Sequence, residues 1–252
     1  MAHESWTTSL RVETGATSIV GSVRDHNEDA ALALTELALV AVADGLGGHE
    51  AGERASALAV ETLESRLRAA REAGRPAALE EIFDAFVEAN AQILADAEAN
   101  PERSGMGTTL TAAVVAGDRV LIGHIGDSRA WRIRDGQIER LTRDHTLVED
   151  QLREGILTEE QADQHPMRHV LSRCLGMSEE IEVDLAEGDV AGDDIYVLAS
   201  DGLLHGLTAD DIEMIVRGNR DPEVSSQALV DSACEQNGQD NITAAVLICH
   251  DS

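Results

Sequence analysis

Five short segments of this 252-residue chain each set a carboxylate beside a glycine, an asparagine or an arginine where a strand gives way to a turn. They are Gly21-Ser22-Val23-Arg24-Asp25-His26-Asn27-Glu28-Asp29, Asp44-Gly45-Leu46-Gly47-Gly48-His49, Gly126-Asp127-Ser128-Arg129, Ser200-Asp201-Gly202 and Gln239-Asp240-Asn241-Ile242-Thr243. Aspartates converging from distant strand ends, with no cysteine or histidine cluster beside them, make an oxygen-rich cage suited to hard divalent cations. Two such cations about 3.5–4 Å apart can bridge and acidify one water and clamp a phosphate, which is the chemistry of phosphomonoester hydrolysis. Arg24 precedes Asp29 closely enough for both to reach one pocket, and its planar guanidinium suits two phosphate oxygens better than lysine would. The plainer alternative for Arg24 is a surface salt bridge.

The elements that must hold these residues are legible in the apolar pattern. Residues 37–43 (LALVAVA) form a short continuous apolar run ending at Asp44-Gly45, which suits a strand buried on both faces. Similar runs cover 109–116, 120–125, 195–199 and 243–249, and the turn signals Gly117-Asp118 and Asp135-Gly136 make 109–141 an expected antiparallel meander. Helical spacing places Ala55, Leu58, Ala59, Thr62, Leu63 and Leu67 on one face. It places Leu79, Ile82, Phe83, Phe86, Val87, Ile93 and Leu94 on another, with Gly74-Arg75-Pro76 between the two segments. Further helices are expected near 208–217, capped by Thr208 ahead of Asp211, and near 223–236. The polar stretch 145–176 is expected to be a helical flap over one edge of the sheets. The apolar pattern continues from about residue 7 to 249, so residues 1–252 are expected to form a single domain.

Composition bounds the partners. The chain has 19 basic and 48 acidic residues, a formal charge of −29, which opposes nucleic acid and anionic membrane surfaces. Cys174, Cys234 and Cys249 share no metal-ligand spacing and look like reduced residues of a cytosolic protein. The start, Met1-Ala2-His3-Glu4-Ser5-Trp6, lacks the basic and apolar regions of a signal peptide, and no run of 18 apolar residues occurs. A soluble, cytoplasmic, monomeric protein is the expectation.

At the five motifs the chain resembles the metal-dependent Ser/Thr protein phosphatases of type 2C, most of all their compact bacterial members. The likeness spans residues 9–249 and includes Gly105-Met106-Gly107-Thr108-Thr109-Leu110 and Arg168-His169-Val170-Leu171-Ser172-Arg173. It implies an α+β fold, a four-layer α/β/β/α sandwich of two antiparallel sheets flanked by helix pairs. It implies two Mn²⁺ or Mg²⁺ ions per chain and a third, weaker one. Asp44 is the candidate bridging ligand, with Asp201 and Asp240 on one ion and Asp29 and the Gly45 carbonyl on the other. Asp127 would share the third ion with Asp201. Adjacent residues of an extended segment face opposite ways, so only one of Glu28 and Asp29 should meet the metals directly. Asp29 is favoured, which leaves Glu28 behind it or as the alternative ligand.

The implied activity is hydrolysis of phosphoserine and phosphothreonine in proteins by attack of a metal-bridging hydroxide, with Arg24 binding the phosphate and a Ser/Thr kinase as the opposing partner. The alternative is a pseudophosphatase serving as a regulatory binding module. Leu46 stands where the eukaryotic branch has a histidine assigned as general acid, and His49, His165 and His169 are candidate substitutes. Asn241 is expected to fix its loop by side-chain hydrogen bonds rather than touch metal.

Overall fold

Strand and helix boundaries follow the apolar runs closely, in a computed structural model that describes residues 6, 8–48, 50–75 and 77–251. The N-terminal strands are β1 (Arg11–Ile19), β2 (Asp29–Leu34) and β3 (Leu39–Leu46), followed by two long helices, α1 (Glu50–Glu72) and α2 (Leu79–Ala99). A short β4 (Gly107–Thr108) leads into β5 (Leu110–Ala116), β6 (Arg119–Ile125), β7 (Arg129–Arg134) and β8 (Gln137–Arg140). The flap carries α3 (Leu147–Arg153) and α4 (Glu159–Asp163), and β9 (Asp184–Asp189) and β10 (Ile195–Ala199) follow. Three helices, α5 (Asp201–Leu204), α6 (Ala209–Gly218) and α7 (Pro222–Asn237), precede the last strand, β11 (Ile242–His250).

The strands form two antiparallel sheets, one in the order β1-β11-β10-β7-β8 and the other β2-β3-β5-β6-β9 with β4 beside β3. Side-chain alternation then builds three cores. On β3, Leu39, Ala41 and Ala43 meet Leu63 and Leu67 of α1 and Phe86 and Ile93 of α2, while Val40 and Val42 face the other way. On β11, Leu247 and Cys249 join Val40 and Val42 between the sheets, while Val246 and Ile248 meet Val216 of α6 and Leu229 of α7. Helix, sheet, sheet, helix is therefore the layer order. Each fully buried Leu such as Leu63 contributes roughly 1.5–3 kcal/mol of transfer free energy.

Local signals explain the helix ends. Thr208 Oγ accepts the Asp211 N–H at 3.3 Å and Asp211 returns the bond to the Thr208 N–H at 2.9 Å, the expected capping box. Asp221 caps α7 ahead of Pro222.

The pattern misled in four places. Phe83 and Val87 are exposed rather than packed on the sheet, because the buried stripe of α2 runs through Ile82, Ala85, Phe86, Ala89 and Ile93. Residues 35–37 form a 3₁₀ turn, and the strand starts at Leu39. The expected meander divides: β5 and β6 belong to one sheet and β7 and β8 to the other. Gly126, at φ +110, turns the chain between them where a Cβ would run into Thr109. β1, β2 and β9 carry too few long apolar side chains for their sequences to predict strands. The three cysteines form no disulfide, and Cys174 and Cys249 are buried. Residues 1–5, Pro76 and His49 lie outside the described residues.

Candidate metal centre

The five motifs meet at one end of the sandwich around a cavity of about 470 Å³, lined among others by Arg24, Glu28, Asp44, Gly45, Asp127, Asp201, Asp240 and Asn241. Asp44 follows the buried run Leu39–Ala43 of β3, and its backbone is clamped from the neighbouring segment. Its N–H donates to Thr109 Oγ at 2.9 Å, and its carbonyl accepts from the Thr109 N–H and the Thr108 hydroxyl, both at 2.9 Å. The Thr109 hydroxyl also bonds Ser128 at 2.8 Å, which ties the Asp127 loop to Asp44. Gly45 follows, where a Cβ would fall on the carbonyl oxygens of Gly52 and Glu28. Close approach of backbone, rather than a left-handed φ, is what requires glycine there.

Glu28 and Asp29 exchange the places expected of them. Glu28 lines the cavity. Asp29 is buried behind it, not among the cavity-lining residues, and its Oδ2 accepts from Ser200 Oγ at 2.7 Å and from Thr243 Oγ at 2.6 Å. Alternation along the extended segment held, but its phase was set by the hydroxyls of Ser200, at the start of α5, and Thr243, on β11, which lie far away in sequence. Ser200 and Thr243, both fully buried, carry no role in the sequence reading; their only signal there is a place in the motifs of Asp201 and Asp240.

Asn241 spends its amide on backbone. Its Oδ1 accepts the Glu28 N–H at 2.9 Å, and its Nδ2 donates to the carbonyls of Val20 at 2.9 Å and His26 at 2.8 Å. Arg24, about half exposed, pairs with Asp240 at 2.9 Å, so the surface-salt-bridge geometry and the cavity-facing position coexist in one residue. Leu46 lines the cavity and has no proton to give. His165 uses its Nδ1 to accept the Met167 N–H at 3.2 Å and is not among the residues lining the cavity. His169 does line it.

Crowding of carboxylates shows in their protonation. Burial pushes Asp29 up to about 7, against the hydrogen bonds of Thr243 and Ser200, with Asp201 and Asp240 adding repulsion. Burial, then Asp29, Asp201, Asp127 and Asp240, hold Asp44 well above the usual carboxylate range. Asp127 is raised to about 7 by burial and by Asp201 and Asp144. The carboxylates gathered here carry more negative charge than Arg24 offsets, and their oxygens, with the Gly45 carbonyl, fit hard divalent cations.

The family model described as protein phosphatase 2C matches residues 22–218. The chain belongs to the protein phosphatase 2C family. It is 39% identical over 241 residues to the serine/threonine protein phosphatase PstP of Mycobacterium tuberculosis, covering 94% of this chain but only 45% of that protein's length. It is 35% identical over 234 residues to the serine/threonine phosphatase stp of Listeria monocytogenes, covering 90% of this chain and 92% of the relative. A solved structure of the PstP catalytic domain in complex with two manganese ions superposes with a TM-score of 0.83 at 34% identity, over 96% of this chain and 100% of that one. The two antiparallel sheets and flanking helices are those of the protein phosphatase 2C fold. No helix among the described residues is long and apolar enough to cross a membrane.

Proposed function

We propose that this chain is a Mn²⁺- or Mg²⁺-dependent protein serine/threonine phosphatase that removes phosphate from proteins modified by a Ser/Thr kinase. One observation carries the reading: Glu28, Asp44, Asp127, Asp201 and Asp240, from separate segments, share a single cavity with Arg24. Asp44, Asp201 and Asp240, with Gly45 and Glu28, are the groups that would hold two ions, and Asp127 with Asp201 would hold a third. When bound, such ions supply an activated water nucleophile and neutralise the phosphoryl oxygens.

The chain's own residues supply the rest. Asp29 acts as a positioning group, tying β2 to Ser200 and Thr243 so that Glu28, Asp201 and Asp240 keep their places. Arg24, reaching in from an exposed loop, orients the phosphate through charge-assisted bonds once it leaves Asp240. The flap around 145–176 borders the cavity through His169 and Leu171 and is where a protein substrate would be recognised.

The test is hydrolysis of p-nitrophenyl phosphate and of a phosphothreonine peptide by wild type and Asp201→Asn, with Mn²⁺, Mg²⁺, Ca²⁺ or EDTA. Turnover that needs Mn²⁺ or Mg²⁺ and Asp201 is expected. Turnover unaffected by EDTA would reject the assignment.

A further inference from the structure

Beside the oxygen cage, the fold assembles a second kind of donor set that its sequence conceals. Asp201 and His205 are four residues apart: Asp201 opens α5, and His205 caps it with helical φ −69 and ψ −22, its N–H bonded to the Asp201 carbonyl at 3.1 Å. That spacing puts the two side chains on one helical face. His169 comes from the flap, and its ring lies edge-on to that of His205 with centroids 5.6 Å apart. One ligating atom from each of His169, Asp201 and His205 can be chosen so that all three lie within 4.8 Å of one another.

We propose that His169, His205 and Asp201 form a binding site for a borderline divalent transition-metal ion, zinc(II) being the representative. Two imidazoles and one carboxylate are a known three-ligand set for zinc, and imidazole discriminates for zinc, cobalt and nickel against magnesium and calcium. Ligands around a tetrahedral ion with bonds of about 2.1 Å lie roughly 3.4 Å apart. The present spacing therefore needs a contraction that the two exposed histidine side chains can make by rotation. Position strengthens the assignment: His169, His205, Asp201 and Asp127 stand on the wall shared by the metal cavity and a second cavity of about 580 Å³ under the flap. An ion held there is reachable from solvent and joins the flap to α5. If the proposed function is right, it also takes a carboxylate from the catalytic cage; binding itself does not depend on that function.

The experiment is calorimetric titration of the full chain with Zn²⁺ in excess Mg²⁺, which competes for the cage carboxylates, Asp201 among them, and so weakens Zn²⁺ binding, but does not displace Zn²⁺ from two imidazoles. Wild type, His169→Ala, His205→Ala and Asp44→Asn are compared, with melting curves to show that each is folded. One Zn²⁺ equivalent should survive in wild type and in Asp44→Asn. Each histidine variant should lose at least about tenfold in affinity, by comparison with the loss that even outer-shell changes cause at metal sites. Zn²⁺ binding unchanged in either histidine variant would overturn the site. Loss of phosphatase turnover in Asp44→Asn with Zn²⁺ binding intact separates this site from the catalytic one.

Discussion

Asp29 and Asp44 stand directly opposite each other in the antiparallel ladder of β2 and β3. Two carboxylates so placed, one hydrogen-bonded by Ser200 and Thr243 and the other beside the cavity, repel each other unless a cation or proton intervenes. Binding of Mn²⁺ or Mg²⁺ should therefore stabilise the fold by about 2.7 kcal/mol at a hundredfold excess over Kd. Differential scanning fluorimetry should show a rise in Tm with metal for wild type and little or none for Asp44→Asn. The metal-free variant should melt no lower than metal-free wild type, because a repulsive charge has gone.

The same crowding fixes a pH dependence. Asp29 and Asp127, raised to about 7, and Asp44, raised well above the usual carboxylate range, bind protons more tightly folded than unfolded. Without metal, their contribution to stability grows as pH falls from above 7 towards the ordinary carboxylate value near 4, by up to about 1.4 kcal/mol per pH unit for each titrating group. Because cations compete with those protons, the metal-induced rise in Tm should shrink between pH 8 and pH 6. A metal effect that is larger at pH 6 would contradict this.

His124 works in the opposite direction. Buried between the Thr111 hydroxyl at 2.9 Å and the Arg143 carbonyl at 2.8 Å, it is pushed down to about 4, first by burial and then by His145. A histidine depressed in the folded state favours folding fully above its unfolded value near 6.5, and that contribution is lost as pH falls towards 4. His124→Gln should be less stable than wild type at pH 7.5, and the gap should narrow at pH 5 when both are compared in urea titrations.

Arg24→Ala should lower kcat/KM for a phosphothreonine peptide by one to two orders of magnitude, matching about 1.5–3 kcal/mol for hydrogen bonds to a charged group. Arg24→Lys should recover only part, since it lacks the two-pronged geometry. The Tm should change little in either, because the Arg24 guanidinium, half exposed, makes an ion pair worth little in water.

Asn241→Ala removes three backbone hydrogen bonds from a buried side chain. A cost of about 2–3 kcal/mol is expected from the groups left unpaired, read as a lower Tm. Weaker Mn²⁺ binding by calorimetry should accompany it, since Glu28 loses its tether. Unaltered metal affinity with a lowered Tm would remove Asn241 from the site's scaffolding.

What the chain's residue order could announce was everything local. The uninterrupted apolar run at 195–199 announces β10 because a run of that length has few other uses, and Thr208 and Asp211 announce α6 because they satisfy each other within one turn. β1, with Arg11, Glu13, Thr14, Gly15 and Thr17, gave no such signal, and its place beside β11 depends on a partner more than 220 residues away. The cage aspartates were found because each sits in a short motif with its own turn chemistry, and the resemblance to a known family supplied their roles.

Tertiary structure decided the matters that depend on phase and distance. Alternation guaranteed that Glu28 and Asp29 point apart, but Ser200 and Thr243 chose which of them faces the cavity. The chain showed no histidine cluster beside the aspartates, yet folding the flap over α5 brings His169 and His205 to Asp201. Spacing along a strand or helix is written in the order of residues, whereas contacts between remote segments exist only after three cores have packed and set the layers in register.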